Sequence, residues 1–139
     1  MRRGMAAIEI IVVLSVIGLV MGIVVPSLAR LRDGIAVRNA TAEAISAFAL
    51  ARRNAIVRSA TAALGVDRPP GFVTVSVGGE ILLQRNLEQA YGVTLSSTRD
   101  STAYSPLGHG VGAANLSMVI ARGTVAETVF VSREGRVRR

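Results

Sequence analysis

From Ile10 to Ala29 the chain runs for 20 residues without a single charge. As a helix rising ~1.5 Å per residue, that run covers about 30 Å, the thickness of a bilayer's hydrocarbon core. The segment is therefore a spanning helix or a cleaved signal. A secretory signal carries a shorter apolar region of roughly 7–15 residues, with its cleavage site on the far side. Here the run is longer, and the attractive processing point, Gly4-Met5, lies on the near side. With residues 1–30 in a membrane, roughly 110 remain, enough for one small soluble core.

One place before the run stands Glu9. A charge inside a membrane helix costs ~2.5–3.5 kcal/mol at the bilayer centre and less toward the interface, so such groups are usually paired. Cleavage after Gly4 would put a new α-amino group on Met5, four residues before Glu9 and on the same helix face. That amine, or the amine of a packed neighbour, would neutralise the carboxylate. Glu9 then reads a register.

The stretch "RRGMAAIEIIVVLSVIGLVMGIVVPSL" resembles the prepilin N-terminus of type IV pilins and type II secretion pseudopilins. That family has a short basic leader, a glycine, a hydrophobic first mature residue, glutamate at mature position five, an apolar helix and often a proline near its end. Gly4, Met5, Glu9 and Pro26 match in order and spacing. Met5 stands where phenylalanine is usual, and Ala6-Ala7 where Thr-Leu is common. The resemblance implies a leader over residues 1–4, a transmembrane and filament-core helix over 5–29, and a periplasmic head over 30–139. It also implies cleavage at Gly4-Met5 and N-methylation of Met5 by a prepilin peptidase/N-methyltransferase. Glu9 and Pro26 become the filament-assembly residues. The localisation implied is a single-pass inner-membrane protein.

Pro26 removes a backbone donor, yet the residues after it keep helical composition, so the helix is expected to continue, with Gly34 a weak point. Ser15, Gly18 and Gly22 have spacings that let membrane helices approach closely. Over residues 35–63, Ile45, Phe48, Ala49 and Ile56 share a face at helical spacing, which predicts an amphipathic half packed on a sheet. Arg38, Arg52, Arg53 and Arg58 then form a solvated face or filament contacts. "DRPPG" breaks the pattern. "FVTVSV", Gly78-Gly79 and "EILLQ" read as a β-hairpin. Tyr91–Ser97 reads as a strand and "STAYSPLGHGVGA" as a polar loop. Asn115–Ala121 and Ala126–Ser132 read as a second hairpin around "RGTV". The expected class is α+β: a long N-terminal helix packed on an antiparallel sheet domain.

The second half resembles the GspH/FimT branch of the same family. The matching stretches are "FALARRNAIVRSATAAL" and "PLGHG…NLSMVIARGTVAETVFVSREGRVR", the latter ending in Gly135-Arg136-Val137-Arg138. In DNA-binding members of that branch the C-terminal Gly-Arg-x-Arg is the implicated motif, so Arg136 and Arg138, with Arg139 beside them, are the candidate DNA-binding residues. Arg122 and Arg133 are candidates to enlarge the patch.

Composition narrows the chemistry. There is no cysteine, hence no disulfide framework and no thiolate site. His109 is the only histidine and has no nearby carboxylate pair, so neither a metal site nor a Ser-His-Asp system can be assembled around it. The "PLGHGVGA" glycines do not follow a strand and open a helix, so they are no dinucleotide loop. A non-enzymatic protein without a cofactor is expected. All 16 basic residues are arginine, a pattern of coding bias that weakens any argument from charge alone. Net charge is +7, and +5 without Arg2 and Arg3. Two functions remain, with other pilins or pseudopilins as partners in both. The first is a minor pseudopilin of type II secretion, near the tip of the pseudopilus. The second is a FimT-like minor pilin that captures DNA for natural transformation.

Overall fold

The computed structural model describes residues 2–67, 69, 71–111 and 115–139, with side chains from Ala7 onward. A helix, α1, spans Arg2–Val57, and the chain divides into two compact units, Met1–Arg32 and Asp33–Arg139. As expected, α1 continues through Pro26 and Gly34.

In the first unit, apolar side chains from Ile8 to Leu31 are exposed all around the helix. A helix apolar on every side belongs in a membrane or inside a larger assembly. From Ala7 onward, α1 is long and apolar enough to span a membrane. The two serine hydroxyls of this stretch bond within the helix: Ser15 Oγ donates to the Ile11 carbonyl and Ser27 Oγ to the Val24 carbonyl, each at 2.8 Å. That is the arrangement an apolar medium demands.

In the second unit, α1 buries Val37, Ala40, Thr41, Ala44, Ala47, Phe48, Ala51 and Ala55. Those positions recur every three or four residues. The expected face is corrected here. Phe48 is buried and Ile45 half-buried, but Ala49 and Ile56 are exposed. Alanines let the helix axis approach the core closely, and the larger Ile35, Ile56 and Val57 stay exposed.

Among the described residues, the strands form two antiparallel sheets. Sheet A contains β1 (Ala62–Asp67), β2 (Phe72–Val77), β3 (Glu80–Asn86), β5 (Ser101–Tyr104) and β6 (Gly110–Val111), in the order β3-β2-β1-β5-β6. Sheet B contains β4 (Thr94–Ser97), β7 (Leu116–Arg122), β8 (Val125–Val131) and β9 (Val137–Arg138), in the order β4-β7-β8-β9. Alternation places Leu64, Val66, Val73 and Val75 of sheet A in the core with Leu116, Met118, Ile120 and Val129 of sheet B. Both expected hairpins are present, as β2–β3 and β7–β8.

Three local expectations are revised. Helix was expected to residue 63, but α1 ends at Val57 and Ala62–Asp67 is the central strand of sheet A. Ala-Ala-Leu has helical composition; what decides is pairing with β2 and β5 on both sides, tertiary context overriding propensity. The strand expected from Tyr91 starts at Thr94, because Leu87–Tyr91 forms a short helix, α2. Asn86 caps it, its Oδ1 accepting from the Gln89 amide at 2.9 Å, and Gly92 closes it at φ +63°. The expected polar loop contains β5 and β6; its Gly112 and Ala113 lie outside the described residues, as do Arg68 and Pro70 of "DRPPG".

Polar ties join α1, and Arg58 just after it, to the rest of the head. Glu43 accepts from the Tyr91 hydroxyl at 2.6 Å and pairs with Arg85 at 3.2 Å. Asp33 pairs with Arg122 at 2.9 Å, and Arg58 with Glu80 at 2.6 Å.

Candidate functional sites at the two ends of the chain

At the N-terminal end, Gly4 and Met5 lie within α1, and their side-chain surroundings fall outside the described residues. Glu9 is exposed on the helix, in a shallow groove with Ile10, Val13 and Leu14. A carboxylate in an apolar wall is the arrangement that invites a cationic partner. Pro26 sits inside α1 with no amide hydrogen to give the Gly22 carbonyl.

The C-terminal end is built from a tight turn. Ser132 and Arg136 bracket it: the Ser132 amide donates to the Arg136 carbonyl at 2.8 Å, and the Gly135 amide to the Ser132 carbonyl at 2.8 Å. Ser132 Oγ accepts from the Arg136 amide at 3.1 Å. Gly135 has φ +78°, which glycine adopts without strain. This is a hairpin turn closed by a glycine bulge. Ser105–His109 repeats it, with a serine first, a glycine of positive φ fourth, and the corresponding three bonds at 2.8, 2.8 and 3.3 Å. His109 is accordingly a turn residue, its backbone engaged by Ser105.

After the turn, Val137 and Arg138 form β9, the edge of sheet B, opposite Val131 and Phe130 respectively. A short edge strand carrying a charged side chain, Arg138, discourages further strands from adding there. Directly opposed residues point to the same face, so Arg138 and Phe130 stand side by side on the outer face of the sheet. Phe130, Arg133, Glu134, Arg136 and Arg138 line an open groove of about 440 Å³.

The arginines named from the sequence separate on this surface. Arg133, Arg136 and Arg138 share the groove. Arg136 pairs with Glu134 at 3.4 Å, an ion pair exposed on both sides and therefore weak. Arg139 is engaged elsewhere, its guanidinium donating to Glu127. Arg122 does not enlarge the patch. It sits at the far end of β7, held by Asp33 and the Tyr91 carbonyl. Beside the arginines the structure adds an aromatic, Phe130, whose outward direction follows from strand alternation once β8 is placed.

No protein-family model matches the sequence, and no curated protein matches it either. Two solved structures are similar in fold. Both are the type IV minor pilin FimU of Pseudomonas aeruginosa strain PAO1, in two crystal forms. One matches with a TM-score of 0.62 at 14% identity over 73% of this chain and 86% of that one. The other matches with a TM-score of 0.60 at 13% identity over 73% and 90%. The fold is therefore type IV pilin-like: a long N-terminal helix with antiparallel sheets.

Proposed function

We propose that this chain is a minor subunit of a type IV pilin-like filament, acting as a structural part and not as an enzyme. The observation that carries the reading is one combination. A Gly-Met-x-x-x-Glu start opens a helix exposed and apolar on every side, and that helix leads into a head of pilin-like fold. FimU, of similar fold, is a type IV minor pilin, which supports the same role here. The apolar helix holds the subunit in the inner membrane before assembly and lies in the filament core afterwards. The head stands in the periplasm. In the finer reading the filament is the pseudopilus of type II secretion and this chain its H-type minor component. Co-purification of the full chain from native membranes tests the assignment. Secretion pseudopilins should accompany it; recovery with pilus and competence pilins instead would move it to the second filament, and recovery alone would overturn both.

The groove at β9 favours a second reading, a minor pilin that binds DNA. Arg136 and Arg138 present two guanidiniums on one open surface. Each phosphate contact to duplex DNA adds ~0.9 to the slope of log affinity against log salt. Arg136→Ala combined with Arg138→Ala should flatten that slope by about two. An unchanged slope removes these residues from any DNA contact.

A further inference from the structure

We propose that the groove beside β9 takes single-stranded nucleic acid, with Phe130 as the platform on which a base stacks. This rests on the second reading above and names its ligand more narrowly. On β8, Val129 and Val131 turn into the core, whereas Phe130 between them is 52% exposed. Its cross-strand neighbours on that face are Ser117 and Arg138. An outward phenyl ring flanked by a serine and an arginine gains nothing from the core. Around it, Arg133, Arg136 and Arg138 give a cationic lining.

The ligand must therefore supply phosphate-like negative charge at several points and a flat apolar face between them. An acidic peptide supplies the charge without the flat face. Duplex DNA supplies the phosphates, but its base faces are covered by neighbouring base pairs. A single strand offers both, and base–aromatic stacking tolerates any sequence. Glu134 lies in the same lining and pairs with Arg136, so the incoming phosphate displaces an exposed carboxylate that holds its partner weakly.

The test uses the full chain in detergent micelles and fluorescence anisotropy at ~0.1 M salt. The probes are a labelled thymidine oligonucleotide of about ten nucleotides, an abasic phosphodiester chain of the same length, and a blunt duplex. The thymidine strand should bind about tenfold or more tighter than the abasic chain. Phe130→Leu keeps apolar bulk but loses the ring; it should abolish that preference and leave abasic binding intact, while Phe130→Tyr should keep the preference. Equal binding of thymidine and abasic strands, or a preference that survives Phe130→Leu, overturns the stacking role. If that equal binding still depends on Arg136 and Arg138, the DNA reading stands without it. No binding of any probe overturns both.

Discussion

Tyr104 and Gly135 pack so closely that a Cβ on Gly135 would lie 2.6 Å from Tyr104 Cε1. The Tyr104 ring is buried, and its hydroxyl donates to the Gly135 carbonyl at 3.4 Å. Gly135→Ala therefore meets two obstacles, the ring and the positive φ. We expect a loss of about 2–4 kcal/mol, read as a lower urea midpoint. Gly78→Ala is the control, since φ is also positive there but nothing stands within 4 Å; it should cost only about 1 kcal/mol.

Tyr104 should also mark an alkaline limit. Burial raises its pKa above the ordinary 10.0, opposed by the charge of nearby Arg52. The neutral phenol is favoured in the folded state. Its contribution to stability is whole below the unfolded value and is lost as pH rises through the folded one. Denaturation from about pH 8 to about pH 11 should show a fall in stability above about 10, and Tyr104→Phe should make it shallower. Tyr91, raised by its hydrogen bond to Glu43, titrates in the same direction, so Tyr91→Phe belongs in the comparison.

The buried face of α1 predicts an asymmetry. Ala51→Leu places a larger side chain where there is no room and should cost about 1–3 kcal/mol. Ala49→Leu, two residues earlier and exposed, should fall within about 0.5 kcal/mol. Thermal melts of the two variants in parallel check this, and equal losses would mean that the helix buries another face.

Protein taken from native membranes should begin at Met5 with a methylated amine. Mass spectrometry of the intact chain reads this directly. An N-terminus at Met1, or a cut after Ala29, contradicts the proposed processing.

Glu9→Ala should leave the chain in the membrane and impair its incorporation into a filament. Removing a carboxylate makes insertion easier by ~2.5 kcal/mol or less. The loss falls on the partner amine. Membrane fractionation combined with recovery of pilin partners separates the two effects, and unchanged recovery would deny Glu9 a register role.

What could be read from the residues followed their physics. The apolar run, the Gly78-Gly79 turn and the alternation of β2 are local signals, and each has its element in the structure. Ala62–Asp67 was not legible, because its strand state comes from neighbours far along the chain. The buried stripe of α1 was missed for a different reason. A search for large apolar residues finds Ile35 and Ile56, whereas the buried positions are mostly alanine, which carries little hydrophobic signal. At the C-terminus the arginines were visible as charges, but which of them share a surface depends on register. Arg122 and Arg138 look alike in sequence and sit at opposite ends of sheet B.

Alanine has no rotamers to lose, so seating α1 against the head sacrifices almost no side-chain entropy. The residues that seat the helix on the head and those on its exposed side are thus different sets. Ala40, Ala44, Ala51 and Ala55 are buried against the sheets; Ile35, Arg38, Arg53 and Val57 are exposed. Substitutions on the exposed set should therefore leave the stability of the head almost unchanged, whatever they do to the surface it offers.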